Sequence, residues 1–393
     1  MRLLRCSVLL ACALVGCGGR VADDSGSSPA SEPEPTGVVK GVESTIAAGG
    51  VHTCLRDASP GGAGDVVRCF GNGEYGQLGN GSLAARSRPT TIDGLIGAKQ
   101  LAAGGTHTCA RMNNGTMRCF GGNGAGQLGD GTHADRSSPT RVRALVNVVE
   151  IAAGAYHTCA RLIDGGVRCF GLNTVGQLGD GTLEDRDVPV KVDLGAPAAA
   201  IAAGYSHTCA ILVDGSVECW GAGNRGQLGD GTLDGHRAPR PVVGLAGRAV
   251  SIALGEDHSC VALADERMQC WGRNFDGQLG DGSDEVRKTP IVVPLSGVTR
   301  VALGRVHTCA ATRDGRALCW GANKHGELGN GTVAPSRKPT LVVAPSAIEA
   351  ITSSREHTCA ASAGWFVCWG RGTDGQLGNG TALDHSAPVA VSR

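Results

Sequence analysis

One stretch of about 50 residues recurs seven times, and that periodicity limits the possible folds more than composition does. It reads most cleanly over residues 151–182, IAAGAYHTCARLIDGGVRCFGLNTVGQLGDGT. Its handle is H-T-C or H-S-C, with the histidine at His52, His107, His157, His207, His258, His307 and His357, in steps of 55, 50, 50, 51, 49 and 50 residues. After each handle comes a hairpin ending in C-[FW]-G, then G-[QE]-L-G-[DN]-G-[ST], then a polar stretch closed by a proline and valines. Units of this length at a fixed period bury their apolar faces against one another, as in propellers, solenoids and arrays. Residues 41–393 are therefore expected to form one repeat body.

Each unit divides into four short extended segments. In the third repeat these are an apolar stretch at 149–153, a second carrying HTCA, a third carrying VRCF and a fourth following the proline at 189–192. Four short strands make one blade, and blades rich in Ala, Gly, Val and Cys suit sheets covered on both faces by their neighbours. The expected fold is all-β, a seven-bladed β-propeller. The third-strand aromatics (Phe70, Phe120, Phe170, Trp220, Trp271, Trp320, Trp369) are expected to fill the wider space between blades. A connection of about 18 residues between third and fourth strands is long for a compact domain. Its leucine (Leu78, Leu128, Leu178, Leu228, Leu279, Leu328, Leu377) is expected to plug it, and the following Asp-Gly or Asn-Gly to make a tight turn. Aspartate at 130, 180, 230 and 281 alternates with Asn80, Asn330 and Asn379, which favours a turn over a calcium or catalytic site.

The chain has 17 cysteines. Cys6 and Cys12 lie in an N-terminal apolar segment and Cys17 at its end, and the rest fall two to a repeat: Cys54 with Cys69, Cys109 with Cys119, Cys159 with Cys169, Cys209 with Cys219, Cys260 with Cys270, Cys309 with Cys319, and Cys359 with Cys368. If Ile163-Asp164-Gly165 is a three-residue hairpin loop with a left-handed glycine, Leu162 opposes Gly166 and Cys159 opposes Cys169. Ala363-Gly364 serves as a two-residue turn in the seventh repeat, and a longer insertion at 59–64 lengthens the first. In an oxidising compartment seven intra-hairpin disulfides are expected, each stabilising by at most about 3 kcal/mol. A rival reading sets His and Cys on one strand face, with the second Cys as third ligand, as seven metal sites. It lacks a fourth ligand in every repeat. The expected role of the histidine is structural, one ring nitrogen donating to a backbone carbonyl.

Residues 1–16 read as a secretory signal, with Arg2 and Arg5 ahead of an apolar run from Val8 to Val15. Leu14-Val15-Gly16-Cys17 resembles a bacterial lipobox, which would make Cys17 a lipidated first residue of the mature chain. The Ser/Pro/Glu-rich stretch 17–40 has too few large apolar groups to offset chain entropy and reads as a disordered tether. The 36 basic residues equal the 36 acidic ones, with no basic stripe, so nucleic-acid binding is not expected. Export to the bacterial outer membrane or cell surface as a monomer, with membrane contact only through the lipid on Cys17, is the expected localisation.

The pattern GxxHTCAxxxDGxVxCWGxNxxGQLGDGT resembles the repeat of the RCC1 (regulator of chromosome condensation) family over about residues 42–393. It departs chiefly where Thr352-Ser353-Ser354-Arg355 replaces Ala-Ala-Gly. The resemblance implies a seven-bladed propeller, in a family whose members include guanine-nucleotide exchange factors, a plant ultraviolet photoreceptor, a secreted bacterial β-lactamase inhibitor and scaffolds. Exchange activity is disfavoured by apparent export and the lack of a large insertion. Photoreception needs clustered surface tryptophans, whereas Trp220, Trp271, Trp320 and Trp369 stand at blade-core positions and Trp365 stands alone. Fold alone does not choose among such functions.

Enzyme motifs fail on context. Residues 71–76, 124–129 and 221–226 satisfy G-x-G-x-x-G, but none opens a helix of a βαβ unit. Ser206-His207 occurs once, with no nucleophile elbow. No catalytic residue, resident metal or cofactor is expected. Function is then sought in residues that differ between otherwise equal repeats. The dipeptides before the handles supply Tyr156, Tyr205, Glu256, Asp257, Arg305, Arg355 and Glu356, and equivalent positions in a propeller share one rim. The loops between C-[FW]-G and G-[QE]-L-G add Glu74, Tyr75, Arg225, Phe275, Lys324 and His325. Tyr and Arg are common interface anchors. The expected activity is non-enzymatic binding of a protein or surface polymer, with inhibition or regulation of an exported enzyme as the alternative and nucleotide exchange behind it.

Overall fold

The structure, a computed structural model, describes residues 46–57, 66–344, 347–362 and 365–392. The expected leader, Cys17, the tether, the 59–64 insertion and the Ala363-Gly364 turn lie outside the described residues. Within them, consecutive strands of each repeat form one four-stranded antiparallel sheet, and the seven sheets are the blades of a propeller. In blade 3 the strands are Val148–Ala153, His157–Leu162, Val167–Gly171 and Arg186–Val192, from the central channel outward. The N-terminal ends of the second strands mark what is here called the upper face.

The hairpin between second and third strands is set by its turn. Gly165 has φ of +79°, Leu162 donates to the Gly166 carbonyl, and Cys159 lies directly opposite Cys169. In each of the seven blades the two cysteines are direct partners and are joined, with Cα atoms 4.0 to 4.1 Å apart. Their sulfurs are therefore bonded to each other and are not thiolate ligands.

The fourth strand of blade 3 begins at Arg186, three residues ahead of Pro189, so the connection is shorter than proline placement implied. The reason is a bulge: Gly171 pairs with Arg186 and Cys169 with Val190, and the proline sits where the ladder is interrupted. All seven outer strands carry such a proline: Pro89, Pro139, Pro189, Pro239, Pro290, Pro339 and Pro388. Proline with lysine or arginine on an unpaired edge opposes strand addition from another chain. The turn aspartate is tied to the same strand. Asp130 Oδ1 accepts the Thr132 N–H and its Oδ2 accepts Arg136 at 2.9 Å; Asp180 with Arg186 and Asp281 with Arg287 repeat the pattern. Where Asn330 replaces the aspartate, the strand opens with Ser336 in place of arginine.

The core is divided into seven layers, each between adjacent blades. One holds Val67, Leu78 and Ile92 of blade 1 with Leu101, Ala110 and Phe120 of blade 2. Another closes the ring, joining Ile46, Leu55 and Phe70 of blade 1 to Cys359, Cys368 and Leu377 of blade 7.

A belt of hydrogen bonds runs through these layers. Each handle histidine gives Nε2 to the hydroxyl after the next handle histidine: His52 to Thr108 at 2.7 Å, then His107 to Thr158, His157 to Thr208, His207 to Ser259, His258 to Thr308 and His307 to Thr358. His357 reaches Thr53 at 2.9 Å and completes the circle. In six blades that hydroxyl donates its own proton to the carbonyl of the Gln before the loop leucine of the preceding blade, as Thr53 does to Gln376 and Thr108 to Gln77. The hydroxyl can then only accept from the histidine, so Nε2 carries the hydrogen. The partner of the ring nitrogen is thus a side-chain hydroxyl of the next blade and not the expected backbone carbonyl. Three of these Gln carbonyls also receive an indole N–H, from Trp220, Trp271 and Trp320, and Trp369 donates to the corresponding Glu327 carbonyl.

The G-[QE]-L-G loop of each blade lies over the aromatic of the next. A Cβ on Gly79 would fall 2.6 Å from the Phe120 ring, and one on Gly378 would fall 2.6 Å from Phe70 across the seam. Repeat seven departs from the pattern at this seam, where Thr352 Oγ1 accepts the Ala48 N–H of blade 1.

All seven belt histidines are fully buried. Burial pushes their pKa down from 6.5, to about 3 for His52, His157, His207, His258 and His357 and to about 4 for His107 and His307. The unfolded chain thus binds protons below about pH 6.5 that the folded one excludes, and stability falls as pH drops from there towards 4. At roughly 1 kcal/mol per histidine per pH unit, the seven together reach on the order of 10 kcal/mol, comparable with a whole domain's stability. The thermal unfolding midpoint of the oxidised protein is expected to collapse between about pH 6 and 4.5, with uptake of several protons. A flat profile over that range contradicts a neutral, buried belt.

Candidate functional site

Both variable sets lie on the upper face. The dipeptides immediately precede the second strands, and the loops follow the upper ends of the third strands. The inner strands line the channel, and its upper mouth is an open cavity. Tyr156, Tyr205, Glu256, Arg305 and Arg355 meet around that mouth, with Gly50, Val51, Gly105 and Thr106 opposite them. The rim is thus small and uncharged on blades 1 and 2, aromatic on blades 3 and 4, and charged on blades 5 to 7. Neighbouring rim segments are tied by backbone bonds, such as Gly50 N–H to the Gly104 carbonyl and Arg305 N–H to the Arg355 carbonyl, both at 2.9 Å. Such bonds join blades 1 through 5 in succession and blade 6 to blade 7, so most of the variable side chains stand on hydrogen-bonded backbone.

Tyr156 and Tyr205 stand edge to face with ring centroids 6.2 Å apart. Burial, and then the Tyr156 neighbour, raise the Tyr205 hydroxyl pKa, so Tyr205 presents a neutral hydroxyl. Arg305 bonds Glu256 at 2.6 Å and approaches Glu356 at 3.6 Å, and Glu356 bonds Arg371 at 2.8 Å. Burial alone pushes the Glu356 carboxyl up, but Arg371, His325 and Arg305 together outweigh it and hold it below the usual range. Asp257 turns from the mouth towards the Gln227 amide at 3.5 Å, and burial with Glu256 beside it raises its pKa despite Arg273, Arg225 and Arg305 nearby. The ionisable groups at the mouth are therefore mostly paired and fixed, an arrangement suited to recognition.

In the loop set, Phe275 is 54% exposed with the guanidiniums of Arg225 and Arg273 at 5.8 and 5.5 Å from its ring centroid. Arg273 is also held by Asp276 at 3.2 Å. His325 Nδ1 lies 2.7 Å from Asp384. Glu74, Tyr75 and Lys324 are exposed on the same face.

Arg273 and Arg371 were not singled out by sequence, although a signal was present: they stand directly after C-W-G, where other repeats have Asn72, Gly122, Leu172, Ala222 and Ala322. Glu327 is the other. It occupies the position of the loop glutamine, whose side chain accepts the N–H two residues earlier, as Gln77 does from Tyr75 and Gln227 from Arg225. Glu327 accepts the His325 N–H in the same way, but it is almost fully buried and burial raises its pKa.

A raised carboxyl pKa stabilises the fold at low pH and costs stability as pH rises through its folded value. Glu327→Gln restores the glutamine of the other six blades, so it is expected to stabilise at pH 8 by about 1 kcal/mol, the scale of one hydrogen bond. The gain should vanish near pH 4. Thermal midpoints of the two proteins across pH check this, and a variant less stable than the parent at pH 8 contradicts it.

Comparison with known proteins matches residues 146–393 to the RCC1-like domain, and residues 67–111 and 114–161 to the regulator of chromosome condensation (RCC1) repeat. Among solved structures, human WBSCR16 superposes with a TM-score of 0.76 at 21% identity, covering 84% of this chain and 94% of that one. Prp20p from Saccharomyces cerevisiae gives 0.73 at 24% identity, covering 83% and 85%. The ectodomain of the receptor kinase CR4 from Physcomitrella patens gives 0.53 at 21%, covering 83% and 73%. At these identities the likeness is one of fold. The curated proteins contain no match to this chain.

Proposed function

From the premise that the chain belongs to the RCC1-like propeller family, we propose that it is a non-enzymatic protein-binding module whose upper rim holds the partner. The observation that carries this reading is the confinement of variation. The belt, the cystines and the loop glycines are the same in nearly every blade, whereas Tyr156, Tyr205, Glu256, Arg305 and Arg355 differ and converge on one mouth. Rigidly mounted tyrosine and arginine around a cavity are the residue types that anchor interfaces. The yeast relative Prp20p is described with binding to Gsp1p and histones, which supports protein recognition as a use of this fold. In our reading the module is displayed outside a bacterial cell on a lipid carried by Cys17, with 17–40 as a tether, and the cystines agree with an oxidising compartment. A partner with an active site would be capped by the same rim, so regulation of an exported enzyme is a special case of this function.

The test is a crosslinked affinity capture from the native cell envelope with the full oxidised chain, beside a variant carrying alanine at Tyr156, Tyr205, Arg305 and Arg355. A stoichiometric partner held by the parent and lost by the variant is expected. Equal capture by both proteins, or capture by neither, overturns the assignment of this rim.

A further inference from the structure

We infer that the rim from blade 4 to blade 7 receives an acidic, apolar-bearing peptide segment of the partner. This rests on the reading of the upper rim as the binding face and adds the chemistry of what binds there.

Six cations stand on that arc: Arg225, Arg273, Arg305, Lys324, Arg355 and Arg371. Three are neutralised within the chain, Arg273 by Asp276 at 3.2 Å, Arg305 by Glu256 at 2.6 Å and Arg371 by Glu356 at 2.8 Å. Arg225, Lys324 and Arg355 are exposed and make no ion pair with a described residue. Two carboxylates that might have answered them are withdrawn, since Asp257 is half-buried and Glu327 is 2% exposed. The facing part of the mouth, Gly50-Val51 and Gly105-Thr106, carries no charge. Unanswered positive charge therefore lies along one arc of the upper face, with Arg355 at the cavity mouth and Arg225 and Lys324 on the loops outside it, which attracts an anionic group and orients its approach.

Aromatic surface lies beside that charge. Phe275 has two guanidiniums within 6 Å of its ring centroid and still leaves half its surface open. Tyr205, next along the rim, lies within the electrostatic reach of Arg355. A guanidinium resting against an aromatic ring is already oriented, so it loses less freedom when it meets a carboxylate, and the ring offers an apolar surface alongside. The matching ligand has carboxylates spaced by apolar side chains. A continuous phosphate backbone fits less well, because Glu256, Asp276, Glu356 and Asp374 alternate with the arginines and would repel it.

The experiment uses the full oxidised chain and fluorescein-labelled heptapeptides of alternating Glu and Leu, alternating Gln and Leu, and alternating Lys and Leu, with an oligo-dT strand as fourth probe. The Glu peptide is expected to bind about tenfold more tightly than the Gln peptide at low salt and to weaken several-fold as salt screens it. Arg225→Glu with Arg355→Glu is expected to abolish that binding and to confer preference for the Lys peptide. Phe275→Ala should weaken the Glu peptide by a factor that salt does not change. These side chains are exposed, and unchanged thermal midpoints will show that the variants fold. Equal binding of Glu and Gln peptides, indifference to the charge reversal, or tighter binding of oligo-dT overturns the inference. If the alanine variant at Tyr156, Tyr205, Arg305 and Arg355 still loses a captured partner, only the acidic chemistry has failed; if it does not, the rim itself is not the binding face.

Discussion

The hydrogen bond from each handle histidine to the hydroxyl of the next blade is the contact on which the rest of the architecture depends. Among the described residues no strand crosses between the first and last sheets: blade 1 and blade 7 are each built from their own repeat. Across the described seam the ring is closed by the same lateral contacts that join all other neighbours. His357 to Thr53, Gln376 to Thr53 and Gly378 against Phe70 repeat across the seam what His52, Gln77 and Gly79 do between blades 1 and 2. A single net contribution of about 1 kcal/mol per bond is modest, but the same contact recurs at all seven junctions between blades. The donor must be neutral histidine with hydrogen on Nε2. Its Nδ1 is left facing the glycine of its own turn, where a Cβ on Gly49 would fall 2.3 Å from the His52 ring.

This lateral belt separates structural demand from functional freedom. Its parts sit below the upper surface, at zero exposure, while the two residues before each histidine sit above it. Those dipeptides are held by backbone bonds between rim segments, which need no particular side chain. The rim can therefore change from Gly-Val in blade 1 to Arg-Glu in blade 7 with the same backbone beneath. The cystines act on the other axis, fixing second to third strands within each blade. Together they leave the outer prolines to guard the exposed edges and the loops to carry identity.

The sequence made legible whatever is local or repeated. Repeat spacing gave seven blades, and the Ile163-Asp164-Gly165 turn gave the cysteine register, because a hairpin's pairing follows from its loop. The fourth strand was placed too late because Pro189 reads as a boundary, whereas a bulge lets the strand begin before it. The histidine's true partner was out of reach, being a hydroxyl about 50 residues away in another sheet. The candidate dipeptides were found by difference between repeats, but their pairing was not: Arg305 bridges Glu256 and Glu356 from two flanking blades, and Arg371 enters from a loop. Such contacts depend on which side chains adjoin around the ring, and no period in one strand records that.

The most direct test of the belt is the tautomer and titration of its histidines, read from imidazole nitrogen shifts in the oxidised protein. The seven handle histidines should all carry hydrogen on Nε2 with a bare Nδ1, and should stay neutral down to the pH at which the protein unfolds. Hydrogen on Nδ1, or protonation of any of the seven near pH 6.5 in the folded state, would show that the ring is closed by something else.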